Sequence, residues 1–458
     1  MRETSAAVKW AGRRFGTRLR LAAALMALGL AGAGCDASGS SHTQASASAS
    51  SSGTAKPSAS SSASASSSSG GGVVRALTDA GSTDPGVYYV DPYPIHTAAS
   101  DGGAGSVYFS GTTKSLLHCV AGASAHCRAE GKVKVSVGSG LRRAAGKYGS
   151  RTTVTDNSNI YQLDSGSWQM ATTMYVKNPR FPDAPPWTVI VHAHPAPVAH
   201  GSGGAVPTQW VADSLLAGSF QRPDKANYDG KYFEDGSKLY LIYSKRLSNA
   251  PAQDGIVAQP MASPGKPAGS APSVLLAPEN TGGGYNSELF FGMGQPKKFK
   301  LIETGNITKV DGKYVMAYST GAFNEDDYKS GLAWSDSLIP SNGASYRRLL
   351  IKDDKQVWAG KPGGYEVEYL LQSQVKDWPN YVGDRVLAPG VPSVVRADGK
   401  WYLFFAGYLP SDAPKVPGRK FDASHRRPFV MPLAVHVPKS TSVRAASNDD
   451  LAHWITWP

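Results

Sequence analysis

Two acidic residues of this 458-residue chain stand at matching places in a repeated device. Asp229 lies a few residues upstream of Asp235-Gly236, and Glu303 a few residues upstream of Asp311-Gly312, each at the start of the run that leads into the pair. A third, Asp91, opens a more divergent unit made of Asp91-Pro92, Asp101-Gly102 and Val107-Tyr108-Phe109. Carboxyl groups gathered in one pocket can divide acid and base roles, because burial and mutual repulsion set their proton affinities apart. Taken singly, each has a plainer reading: Asp91-Pro92 as a turn start, Asp229 as a turn or capping residue, Glu303 as a solvated strand end. All three in order on recurring units favour chemistry.

The device that carries them is a short apolar run, an Asp-Gly turn and an aromatic-rich run. It is seen in Lys231–Tyr243, Ile307–Tyr318 and Pro392–Phe405. Asp-Gly between β-prone runs signals a hairpin, since a tight primed turn needs positive φ at its centre. Hairpins recurring in this way predict propeller blades, whose inner strands line one axis and bring distant strand starts together. Asp101, Asp183, Asp235, Asp311 and Asp398 serve as turn markers, spaced by 82, 52, 76 and 87 residues, and predict an all-β, five-bladed β-propeller. The second blade is read from Trp168–Val176 through the Pro-rich turn 182–186 to Trp187–Val191. His425–Val435 reads as a strand returning to the first blade, which would remove exposed sheet edges. A β-sandwich is the structural rival.

The N-terminus predicts export. Arg13, Arg14, Arg18 and Arg20 precede an apolar run from Leu21 to Leu30 and then small residues up to Cys35, so residues 1–34 read as a signal peptide. Gly32-Ala33-Gly34-Cys35 resembles a bacterial lipobox, which makes Cys35 the expected lipidation site, with an ordinary cleaved signal as the alternative. Residues 35–74 are almost all Ser, Ala, Gly and Thr and read as a disordered tether to the membrane, ahead of a domain over 75–458. Cys119 and Cys127 are expected to form a disulfide, as is usual outside the cell. A metal site built with His118 and His126 is the alternative. The formal charge of +12 falls to +7 once residues 1–34, with six Lys or Arg and one Glu, are set aside. No dense basic run with interleaved aromatics is present, which argues against nucleic acid as a partner.

The pattern resembles glycoside hydrolase family 43, five-bladed propellers that act on arabinose- and xylose-containing polysaccharides. The resemblance spans about residues 84–440 and rests on Val90-Asp91-Pro92, Tyr228-Asp229-Gly230, Ile302–Ile307 before Asp311–Tyr314, and Gly331–Leu338. It implies Asp91 as general base, Glu303 as general acid, and Asp229 as the carboxylate that orients the acid and raises its pKa. Such an inverting glycosidase holds its acid and base roughly 6.5–9.5 Å apart, which leaves room for the attacking water. Thr304-Gly305 stands where the family has Gly-Pro or Ala-Pro after the acid. Gly390 is followed by Val391 and Pro392 where the family often has Gly-His, the imidazole helping to hold a central ion or water network. No cofactor is therefore expected, with an axial calcium as the alternative.

Further candidates are weaker. His192-Ala193-His194 sets two imidazoles on one strand face, a spacing open to a metal pair but read as hydrogen-bonding or pocket-lining. Tyr88, Tyr89, Tyr93, Trp168, Trp210 and Tyr285 include potential sugar-stacking faces, and Trp168 is the one singled out for substrate binding. The expected protein is a monomer that contacts carbohydrate, and the membrane only through its lipid. A non-catalytic carbohydrate-binding propeller and a five-bladed hydrolase of fructose-containing sugars are the alternatives.

Overall fold

The computed structural model describes residues 75–76, 93–97, 106–110, 115–120, 126–177, 187–197, 206–221, 226–249, 252–278, 288–290, 299–348, 350–353, 364–376, 380–397, 399–416, 420–435 and 455–456. The expected signal peptide, Cys35, the tether and Asp91 lie outside the described residues.

The architecture is an all-β propeller of mainly antiparallel sheets, with one short α-helix among the described residues, Ser139–Ala145. One sheet runs through Tyr93–Ile95, Ser106–Ser110, Ser115–Val120 and His126–Lys132. The next runs outward through Thr152–Gln162, Trp168–Val176, Trp187–Pro195 and Gln209–Ala217, with Lys134–Val137 added in parallel at its outer edge. A third is built on Asn227–Asp235, Lys238–Asn249 and Ala252–Ser263, and a fourth on Glu303–Val310, Lys313–Thr320, Lys329–Ser335 and Arg347–Arg348. The last contains Leu387–Ala397, Lys400–Tyr408 and Arg427–Val435. Each innermost strand packs against that of the following sheet, and Leu387–Ala397 contacts Tyr93–Ile95.

Closure differs from the sequence expectation. Arg427–Val435 stays in the last sheet, and the N-terminal strand Arg75–Ala76 pairs onto it, Arg75 opposite Val430. The apolar run of 427–435 gave no sign of which partner would cover it.

Strand periodicity explains the wedges between sheets. Along 313–320, Tyr314, Met316 and Tyr318 pack with Tyr240, Ile242 and Ile256 of the preceding sheet. Val315 and Ala317, pointing the other way, pack with Leu403, Phe405 and Met431 of the following one. A strand covered on both faces reads as an unbroken apolar run, and each fully buried large side chain contributes roughly 1.5–3 kcal/mol.

The turns keep the expected form at Asp311-Gly312 and depart from it elsewhere. Asp311 and Gly312 both have positive φ, 45° and 78°, as a primed turn requires. Asp235 instead pairs with Lys238 and leaves Gly236-Ser237 as the loop. Its carboxylate accepts from Tyr314 at 2.6 Å and Lys309 at 3.2 Å, the tyrosine bond chiefly holding its pKa below the ordinary range. In the second sheet Trp168–Val176 pairs antiparallel with Trp187–Pro195, as expected, and the Pro-rich 182–186 lies outside the described residues; the difference is that 152–162, joined to Trp168 through Leu163–Ser167, is the inner strand and 168–176 the second.

Candidate functional site

The inner strands of the last three sheets share one local distortion. Asn227–Asp235, Glu303–Val310 and Leu387–Ala397 each carry an extra residue against their partner strand. These are Asp229-Gly230 between the pairs 228/244 and 231/242, Thr304-Gly305 between 303/319 and 306/317, and Val391-Pro392 between 390/406 and 393/404. The first bulged residue has positive φ each time: 55° at Asp229, 58° at Thr304 and 53° at Val391. Left-handed backbone at a non-glycine costs on the order of 1–3 kcal/mol, and it persists where the surroundings over-determine it.

Here the surroundings supply a repeated latch. The bulge N–H donates to a hydroxyl on the second strand of the preceding sheet. Asp229 N reaches Thr173 Oγ1 at 3.2 Å, Thr304 N reaches Ser244 Oγ at 3.1 Å, and Val391 N reaches Ser319 Oγ at 2.8 Å. Bulges of this kind re-aim side chains at the rim of a sheet. They also put the two candidate carboxylates one step out of phase, because Asp229 is equivalent to Thr304, and Glu303 to Tyr228.

Both carboxylates are clasped by tyrosines. Tyr93 donates to Asp229 Oδ1 at 3.1 Å, and Tyr328 donates to Glu303 Oε1 at 2.8 Å. Asp229 is 5 % exposed, whereas Glu303 is half-buried. Tyr228 feels the charge of both: burial first, then the charges of Asp254, Glu303 and Asp229, push its hydroxyl pKa well above the ordinary value. Its phenol donates to Asp254 Oδ2 at 3.2 Å, and Asp254, wholly buried, is ion-paired with Arg246. Burial pushes the Asp254 carboxyl up, against the pull of that guanidinium.

An apolar cluster of Tyr93, Tyr328, Ala388, Val391, Tyr408 and Phe421 underlies the clasp. Gly390 makes room for it, because a Cβ there would sit 1.9 Å from Tyr328 Cε1. Arg426, without solvent exposure, lies 5.0 Å from the Tyr328 ring centre and donates to the carbonyls of Phe323, Ala388 and Ala406. Val391 is buried within this cluster, so the position expected to lack an imidazole presents only an isopropyl group and does not fit an imidazole-held ion. Among the described residues no three His, Cys, Asp or Glu side chains converge as a metal-ligand set.

The structure thus places Asp229 and Glu303 on adjacent inner strands, while Asp91 falls outside the described residues. Trp168 is placed elsewhere. It sits beside the 163–167 turn, half-buried against the core of its own sheet. Five residues separate it from Thr173, the latch for Asp229, a distance of roughly 17 Å along a strand. Its expected substrate contact therefore does not follow, because 168–176 is a second strand and not an inner one. Trp210 is buried in the same core and donates to Pro207 O at 2.8 Å. His192 bonds Asp213 Oδ1 at 2.7 Å and Gln169 Oε1 at 2.8 Å, with His194 Nε2 at 3.5 Å from Asp213 Oδ2. The backbone sets Cys119 directly opposite Cys127 in an antiparallel pair.

Tyr328, Tyr228, Lys231 and the latch hydroxyls were not singled out from the sequence. A signal for two of them was present: Tyr243-Ser244 and Tyr318-Ser319 occupy matching places in repeated second strands.

Fold and site together define an all-β propeller with carboxylates held at its inner-strand starts. Comparison with solved structures finds the α-L-arabinofuranosidase of Lactobacillus brevis at 15% identity and a TM-score of 0.50, covering 76% of this chain and 92% of that one. The α-L-arabinanase of Cellvibrio cellulosa complexed with arabinohexaose has 14% identity and a TM-score of 0.47, over 80% and 99% of the two chains. A thermostable family-43 glycoside hydrolase has 13% identity and a TM-score of 0.45, over 77% and 90%. At such identities the likeness to the arabinofuranosidase speaks for the fold alone. No protein-family model and no curated protein matches the chain.

Proposed function

We propose that this chain is a glycosidase of the family 43 type, a five-bladed propeller that hydrolyses glycosidic bonds in arabinose- or xylose-containing polysaccharide or oligosaccharide with inversion. The observation that carries the reading is the placing of Asp229 and Glu303 beside matching bulges on adjacent inner strands, each carboxylate clasped by a tyrosine. The sheet that begins at Tyr93 is taken as the first blade, and Asp91 stands two residues ahead of it in the sequence.

In this reading Glu303 carries the proton to the leaving oxygen, and Asp91 takes one from the water that attacks the anomeric carbon on the opposite face. Asp229 orients the acid. The step breaks the glycosidic C–O bond, forms a new C–O bond from water and returns both carboxyls to their starting states after proton exchange with solvent. It asks for no cofactor.

The test is turnover by purified protein on arabinan, xylan and aryl pentosides, with the anomer of the first product read by NMR. On arabinan and xylan, Asp91→Asn, Asp229→Asn and Glu303→Gln are each expected to lower kcat by about 10²–10⁴. Sugar bound without turnover by the unaltered protein, or retained configuration, would overturn the proposal.

Export and anchoring belong to the same proposal: a cleaved signal, Cys35 lipidated, a Ser/Ala-rich tether and a Cys119–Cys127 disulfide on a monomeric domain outside the membrane. Cys35→Ala is expected to release the protein from the membrane fraction. Unchanged membrane retention would remove the anchor from the account.

A further inference from the structure

Lys231 is a buried cation that the acid–base reading does not use. It lies two residues beyond Asp229 on the same inner strand, is 5 % exposed, and extends its ammonium across the sheet boundary. There it donates to Thr304 O at 3.1 Å and Gly305 O at 3.2 Å, the carbonyls of the bulge that follows Glu303. It also sits 4.6 Å over the ring centre of Tyr93, whose hydroxyl bonds Asp229. One side chain therefore touches three sheets: its own, the one that carries Glu303, and the one that begins at Tyr93. A buried ammonium is costly unless its donors are satisfied, and these three partners are the ones that fix the two carboxylates.

We propose that Lys231 is the positioning residue of the site, setting the place of Glu303 through the Thr304-Gly305 bulge and that of Asp229 through Tyr93. This rests on the glycosidase reading above. The Thr304-Gly305 bulge follows directly on Glu303, and without the ammonium it loses two of its ties, while the Asn306 amide at Thr304 O (3.2 Å) and the Ser244 latch at Thr304 N remain. Misplacement by about 1 Å costs up to about 100-fold in rate. The ammonium is also positive charge among the ionisable groups of the site: Tyr93 on the first sheet, Tyr228 and Asp229 on its own strand, and Glu303 on the next, with Asp254 and Arg246 behind Tyr228. Removing that charge disfavours ionised carboxylates, so both limbs of the pH profile move upward.

The experiment compares unaltered protein with Lys231→Gln, Lys231→Met and Lys231→Arg, measuring kcat, KM and the pH profile of kcat/KM on a pentose oligosaccharide, with melting temperature as the fold control. Lys231→Gln keeps a donor for the carbonyls and is the variant expected to fold if Lys231→Met does not. Expected are a kcat loss of about 10- to 100-fold with KM within about threefold, and limbs raised by about half a pH unit or more in Lys231→Gln. Lys231→Arg is expected to leave the limbs in place. A lower melting temperature with unmoved limbs and unaltered kcat in folded variants assigns Lys231 to stability alone and overturns the inference. Failure of the unaltered protein to turn over any substrate overturns this inference together with the reading beneath it.

Discussion

Tyr328 donates its hydroxyl to Glu303 Oε1 at 2.8 Å, and its ring lies in the space that Gly390, on a neighbouring sheet, leaves open. The carboxylate proposed as acid is thus oriented by the strand following its own hairpin and by the absence of a side chain on the next sheet. Arg426 backs the ring from the side of the last sheet.

Tyr328→Phe keeps that ring and removes only the hydroxyl. It is expected to cost about 1 kcal/mol of stability, the ordinary worth of such a bond. The kcat is expected to fall by about tenfold or more with KM little changed, since the lost contact orients the acid and does not hold sugar. Urea denaturation and initial rates check the two parts separately.

The latch hydroxyls predict a graded stability series. Ser244→Ala strands the buried N–H of Thr304, and Ser319→Ala strands that of Val391 and also the hydroxyl of Thr304, 2.7 Å away. Each orphaned buried group costs about 1–3 kcal/mol, so Ser319→Ala is expected to be the more harmful. Because both act on Thr304, the double variant is expected to depart from additivity by about 0.5 kcal/mol or more. Denaturation midpoints of the three variants check this.

Glu368 predicts a pH dependence of stability. It is 3 % exposed, burial pushes its pKa up to about 7 against a hydrogen bond from Asn380, and its Oε2 meets no hydrogen-bond partner among the described residues. The native state holds this proton more tightly than the unfolded chain does. The contribution is therefore fully present below the unfolded pKa near 4.5 and is lost as pH rises through about 7. Glu368→Gln is expected to be more stable than the unaltered protein at pH 8, by up to about 3 kcal/mol, and nearly equal to it at pH 4. Thermal melts across that range give the comparison.

Much of the scaffold was legible in the sequence because hairpins announce themselves locally. The Asp-Gly pair at 311 falls in a two-residue loop, and the strands carrying Asp229 and Glu303 begin where the repeat placed them. In the second sheet the pair 168–176 and 187–195 is as expected, but the inner strand 152–162 is hidden in the sequence because its turn, Asp164-Ser165-Gly166, lacks the adjacent Asp-Gly pair. That shift alone carried Trp168 toward the site on paper and away from it in space. Tyr328, Lys231 and the latch hydroxyls act across sheet boundaries, at bulges whose positive φ no local pattern of Asp229, Thr304 and Val391 advertises. Their partners depend on the registration of neighbouring sheets, which a single chain's periodicity does not encode.

The most direct test of the acid–base account is the dependence of Glu303→Gln on the leaving group. A nitrophenyl pentoside departs with little help from an acid, whereas a sugar leaving group needs the proton. The account predicts that Glu303→Gln loses about 10³-fold or more in kcat/KM on a pentose oligosaccharide and far less on the nitrophenyl pentoside. Equal losses on both substrates, or no loss on either, would contradict it.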